Sequence, residues 1–163
     1  MKQIGVFLLI LVLSSCNQKR SQEIELLQLR IDSLKQQLAE SYKPGLGEFM
    51  GNIQAHHIKL WYAGTNSNWA LAEFETHEII ETVDDIKKFE TEHEESQLIS
   101  MIEPALDSVN VAIKKRDGEL FKARYTTLTR TCNECHMAAK FGFNVVKIPD
   151  MQPFGNQVFS LKK

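Results

Sequence analysis

Cys132-Asn133-Glu134-Cys135-His136 constrains this chain more than any other stretch. It reads C-x-x-C-H, the attachment pattern of a c-type haem. The chemistry sets the spacing. Two thiols three residues apart on one helical turn reach the two vinyl groups of a single porphyrin. The histidine directly after the second thiol then swings its imidazole under the iron as proximal ligand. The rival chemistries for such a pair are a zinc half-site and a dithiol redox couple. Zinc needs about four ligands, and the chain has no second C-x-x-C. A thioredoxin-like pair belongs beside a βαβ pattern, and none is found.

Only one other cysteine exists, Cys16. Residues 1–15 read as a bacterial secretion signal. Lys2 is the positive start, and Ile4 through Leu13 is an apolar run of signal-peptide length, too short to span a bilayer comfortably. Leu13-Ser14-Ser15-Cys16 resembles a lipobox, which predicts a mature chain starting at an acylated Cys16. The alternative is an ordinary signal peptide whose cleavage site happens to precede a cysteine. Export and C-x-x-C-H agree, because bacteria attach haem c outside the cytoplasm. The expected location is a membrane of a Gram-negative-type bacterium, facing the periplasm, with inner and outer membrane both open. With Cys16 on lipid and the other two on haem, no thiol remains for a structural disulfide despite an oxidising compartment. A formal net charge of -2 gives no sign of nucleic-acid binding.

Residues 16–43 form the next segment. Within 21–42 there is no Gly or Pro, and Ile24, Leu27, Ile31, Leu34 and Leu38 recur at spacings of three and four. That is an a/d seam with Ile mostly at a and Leu at d, a pattern that favours parallel dimers. It covers about two to three heptads, fewer than a secure coiled coil needs. A stalk that holds the domain off the membrane or makes a homodimer, and a helix packed on its own domain, both fit. Pro44-Gly45 breaks the helix and opens the domain, residues 44–163, long enough for one real core.

That domain reads as four helices. The first spans about 46–63, with Leu46, Met50, Ile53, His57 and Leu60 on one seam. The second spans about 69–90, with Trp69, Phe74, Ile80, Val83 and Phe89 on its apolar side and Glu73, Glu75, Glu78 and Glu81 on an exposed acidic face. The polar stretch 90–96 is expected to be a loop. The third helix spans about 98–116, with Pro104 near its first turn, and the fourth about 119–140, N-capped by Asp117. Phe121, Tyr125, Leu128, Cys132, Cys135 and Ala139 continue one seam, so both thiols face the interior. Short connections predict an all-α, antiparallel up-down-up-down four-helix bundle.

A four-helix bundle with C-x-x-C-H on its last helix resembles the class II cytochromes c, the cytochrome c-prime type. The stretches His57-Ile58-Lys59-Leu60-Trp61, Asn68-Trp69 and Pro153-Phe154-Gly155-Asn156-Gln157, together with the haem motif, are also similar to a group of small bacterial haem c proteins. The resemblance implies one covalent haem c, with Cys132 and Cys135 as thioether positions and His136 as proximal ligand. One departure stands out. In the c-prime type the chain ends soon after the motif, whereas here Met137 to Lys163 follows, with room to fold back over the haem.

Function turns on the face opposite His136. A strong sixth ligand makes an electron carrier, and a vacant position makes a gas-binding iron. If Leu46 sits beside Lys140, Met50 lies level with His136, and His57 lies roughly 10 Å further along at ~1.5 Å per residue. Met50 and His57 are therefore the candidate distal ligands, with Met151 on the tail an outsider. The plain alternatives are core filling for Met50 and a core imidazole bonded to a carboxylate such as Glu78 for His57. His56, His77 and His93 are expected on the surface. The basic residues around Arg124 and Arg130 read first as a solvated face, the functional alternative being that one of them pairs with a propionate or that the polarity orients a redox partner. The expectation is a membrane-anchored monohaem cytochrome that passes electrons between periplasmic or membrane partners, with a gas-binding haem protein as rival. No distal acid–base constellation is read, so catalysis of the peroxidase kind is not expected.

Overall fold

The structure is a computed structural model that describes residues 2–41, 44–152 and 154–160, with side chains in the first span from residue 20 to 40. All regular structure in the described residues is helical, without a strand. The chain divides into two compact units, Met1–Lys43 and Pro44–Lys163.

The first unit is one helix, α1, Lys2–Ser41. Ile24, Leu27, Ile31, Leu34 and Leu38 are all exposed on it, as are Leu26 and Leu29. Its polar surface carries i,i+4 links from Gln28 to Asp32 and from Gln36 to Glu40, each a small local contribution to helix stability. No helix among the described residues is long and apolar enough to cross a membrane. The lipobox side chains, Cys16 included, lie outside the described residues.

The second unit holds α2 (Leu46–Thr65), α3 (Trp69–Phe89), a 3₁₀ helix (Glu94–Ile102), α4 (Glu103–Lys115) and α5 (Gly118–Ala138). The α2–α3 connection is three residues. Ser67 takes a left-handed φ of 57°, and its N–H bonds Gly64 O at 3.0 Å. Asn68 then caps α3, its Oδ1 accepting from Leu71 N at 3.3 Å. The same side chain donates from Nδ2 to Phe159 O at 3.1 Å, which ties the C-terminal segment to this corner. At the other helical connection Asp117 caps α5, as its sequence position predicts, accepting from Glu119 N and Leu120 N.

Two helices depart from the sequence reading. The predicted single helix from 98 is a 3₁₀ helix that becomes α only at Glu103. Pro104 accounts for the junction. It has no N–H to bond Ser100 O in α fashion, so Glu103 N–H takes Ser100 O in the shorter 3₁₀ pattern instead. On α3 Val83 is buried and Trp69, Ile80 and Phe89 pack against the core as predicted, but one predicted inward residue is not. Phe74 is exposed, whereas Glu75, Thr76 and Thr82 are buried beside Ile79, Val83 and Ile86. The threonines bury cheaply because each hydroxyl donates within its own helix, Thr76 to Ala72 O and Thr82 to Glu78 O, both at 2.8 Å. Glu75, expected on the acidic surface, is only 1% exposed because His56 Nδ1 lies 2.6 Å from its Oε2. His56 is thus a buried residue, not a surface one.

An aromatic cluster joins α2, α3 and α5. Phe121 and Tyr125 are fully buried, with the Trp61 and Trp69 rings packed on Phe121. The approach of α2 to α5 here depends on Gly64. A methyl group on it would sit 2.2 Å from Phe121 ring carbons, far inside van der Waals contact.

Candidate functional site

Toward the start of α2 and the end of α5 the second unit forms a half-open cavity of about 520 Å³, within the range of small-molecule and cofactor sites. Its walls are assembled from four places in the chain. Leu46, Met50 and Ile53 come from α2, Ile99 and Ile102 from the 3₁₀ helix, and Cys132, Cys135 and His136 from α5. Phe141, Asn144 and Val146 come from the segment after α5. The polar wall residues are few and include Gln54, His93 and Glu95.

Three residues of the motif therefore open onto one apolar space. The 3.6-residue helical repeat puts Cys132 and Cys135 on one face, and the last turn of α5 carries His136 beside them. The segment after α5 fixes this end of the helix. Lys140 takes a left-handed φ of 64°, which turns the chain back. Asn133, inside the motif, then clamps Val146 in both directions. Its Nδ2 donates to Val146 O and its Oδ1 accepts from Val146 N, both at 2.8 Å. The clamp brings Asn144 O to 2.7 Å from His136 Nδ1. A carbonyl can only accept, so Nδ1 carries the proton, and the neutral ring presents its lone pair at Nε2. Histidines that bind metals are commonly oriented by such a bond on the second nitrogen.

The thiols are not poised as a redox couple. Burial, and then the neighbouring Cys135, push the Cys132 thiol up to about 12, and burial raises Cys135 as well. A dithiol nucleophile needs the opposite, a lowered value that frees thiolate at neutral pH. Both cysteines are free, and Cys135 Sγ lies 3.6 Å from Leu98 O. Among the described residues no group of three or more His, Cys, Asp and Glu converges as a cage for a bare metal ion. A haem asks for less, because the porphyrin supplies four of the iron's ligands and the protein one or two. Two thiols, one oriented imidazole and an apolar cavity fit that requirement.

The other sequence candidates divide. Met50 lines the cavity and is partly buried against the core. His57 is not among the lining residues. It is 3% exposed, stacked on Tyr125 at 4.5 Å between ring centroids. His57 Nε2 lies 3.0 Å from Thr129 Oγ1, and Nδ1 lies 2.9 Å from Tyr125 OH, which donates to His57 O at 2.7 Å. Burial lowers the His57 pKa to about 4, which keeps the ring neutral. Its polar partners are therefore Thr129 and Tyr125 rather than Glu78. Met151 is 79% exposed and does not line the cavity. Neither do Arg124 and Arg130, and Arg130 pairs with Glu134 at 2.9 Å. His77 is exposed and pairs with Glu81 at 3.2 Å. His93 is exposed, yet it lines the cavity, which helical periodicity could not reveal because it lies in a turn.

No family model, no curated protein and no solved structure matches the chain.

Proposed function

We propose that this protein is a membrane-anchored monohaem c-type cytochrome that transfers electrons outside the cytoplasm. One observation carries the reading: Cys132, Cys135 and His136 open onto a single apolar cavity, with His136 Nδ1 bonded to Asn144 O and Nε2 left free. The bound haem would supply a reversible one-electron couple. The chain's own residues would do the rest. Cys132 and Cys135 would hold the group covalently, and His136 would ligate through Nε2. Asn133 and Val146 would lock the segment that orients His136, while Ile53, Ile99 and Ile102 would exclude water. The helices α2, α3, α4 and α5, joined by short connections, fit an antiparallel four-helix bundle of the class II cytochrome type.

Electron transfer is preferred to gas binding because Met50 and His93, two side chains of iron-ligating chemistry, line the cavity. The anchor is read from Leu13-Ser14-Ser15-Cys16. Acylated Cys16 would hold α1 at a lipid membrane with the haem domain facing the periplasm.

Haem maturation in a bacterial host tests the proposal. The full chain should keep its haem colour through a denaturing gel and fractionate with membranes. The Cys132→Ser, Cys135→Ser double variant should lose the colour, and Cys16→Ala should lose the membrane association. A wild-type chain without retained haem would refute the cytochrome reading, and an unmodified N-terminus would refute the anchor alone.

A further inference from the structure

We infer that His93 is the distal ligand of the iron, opposite His136. The inference rests on the haem reading and deepens it. His93 and His136 are the only imidazoles among the cavity-lining residues. The two lie on separate elements, one on α5 and the other in the turn between α3 and the 3₁₀ helix. A haem bound to α5 through two thiols and His136 offers its second axial position to another element, and that turn is one of those at the cavity.

The competitors are more constrained. His57 is outside the cavity, with hydrogen-bonding partners at both ring nitrogens. To ligate it would have to break the bond to Thr129 and leave a packed core. Met50 lines the cavity, but from a helical position packed against the core cluster, and Met on an apolar wall is usually filling. His93 has neither restraint. Its ring is 60% exposed, and its nearest carboxylates stand at 3.5 Å (Glu90) and 4.0 Å (Glu95), beyond a good hydrogen bond. Turning toward the cavity therefore costs it no strong contact. Imidazole is also the better iron ligand chemically.

Glu90 completes the argument. It is only 6% exposed, fixed at the C-terminal end of α3, where its N–H bonds Ile86 O at 2.9 Å. A buried carboxylate next to an imidazole is the usual partner of a ligating histidine's second nitrogen. The result would be a pair of ligating imidazoles of different support. His136 leans on a backbone carbonyl, and Glu90, 3.5 Å from His93 Nε2, would close on that nitrogen once the ring turns.

The experiment uses the full chain matured with haem and compares wild type with His93→Ala, Met50→Ala and the surface control His77→Ala. Optical and electron paramagnetic resonance spectra report the spin state, and carbon monoxide is the ligand probe. Wild type is expected to be low-spin and closed to carbon monoxide. His93→Ala should turn high-spin and bind carbon monoxide, and added imidazole should restore the low-spin spectrum. That rescue separates loss of a ligand from misfolding. His77→Ala should leave the wild-type spectrum, and Met50→Ala should stay low-spin and closed to carbon monoxide. A His93→Ala variant that stays low-spin overturns the inference, whatever Met50→Ala does, as does a high-spin wild type. In both of those cases the covalent haem is still present, so the cytochrome reading survives. Wild type without covalent haem overturns both together.

Discussion

Replacing Gly64 by alanine tests how closely α2 and α5 are held, and the contact can be worked through atom by atom. An added methyl would stand 2.2 Å from Phe121 Cε1, 2.2 Å from Cζ and 2.6 Å from Cε2. Carbon atoms pack at ~3.5–4.0 Å, so either the ring or the helix must retreat by more than about 1 Å. The ring has nowhere to go. Phe121 is 0% exposed, with Trp61, Trp69 and Tyr125 centroids at 6.4, 6.1 and 5.9 Å. Forcing extra carbon into such a site costs ~1–3 kcal/mol or more, while replacing a helical glycine returns at most ~1 kcal/mol. The net loss should be about 2 kcal/mol, or a fall in Tm on the order of 10 °C for a unit of this size. Thermal unfolding followed by far-ultraviolet circular dichroism measures it. Phe121→Leu supplies the control, since it removes ring atoms that the methyl would strike. In that background Gly64→Ala should cost clearly less, a coupling that a double-mutant cycle isolates. If Gly64→Ala is neutral or stabilising in the wild-type chain, the helices do not meet here as described.

Three further outcomes are expected. A histidine-selective nitrogen NMR titration should find His57 neutral at pH 7 and protonating only near pH 4. Because its folded value is lowered by burial, this group should contribute roughly 3 kcal/mol above the unfolded value near 6.5, lost as pH falls from there toward 4; an ordinary pKa for His57 would contradict that. His56→Ala should cost about 3 kcal/mol in chemical denaturation, because it strips the buried Glu75 carboxylate of its partner at 2.6 Å; a cost below ~0.5 kcal/mol, typical of a surface change, would mean the pair is not buried. Asn133→Ala should speed amide exchange at Val146 and destabilise by about 1–2 kcal/mol through two lost hydrogen bonds, and unchanged exchange would rule out the clamp.

The helical class, the cap at Asp117 and the turn around Asn68 were legible because each has a local cause, apolar periodicity or a side chain that bonds its own backbone. The exposure of Phe74 and the burial of Glu75 on α3 were not. Periodicity counts Phe74 as inward and Glu75 as outward, yet His56 makes the burial of Glu75 tolerable, and that partner lies 19 residues away on another helix. The change from 3₁₀ to α at Glu103 was half visible, since Pro104 forbids an α bond to Ser100 but does not name what replaces it. At the site, the spacing of Cys132, Cys135 and His136 places all three on the cavity. The support of His136 was hidden, because it comes from the Asn144 carbonyl, held by the bonds of Asn133 to the Val146 backbone, in an irregular segment where no periodicity exists. His93 was hidden for the same reason, and His56 and His57, adjacent in sequence, part to different partners in a way that only packing decides.

The most direct measurement is mass spectrometry of the peptide Thr131–Lys140, released by trypsin from haem-matured protein after a thiol-alkylating reagent has been applied under denaturing conditions. The cytochrome reading predicts that this one peptide carries a single haem through both sulfurs, so that neither Cys132 nor Cys135 takes the reagent. Recovery of the peptide without haem and with both cysteines alkylated would contradict it.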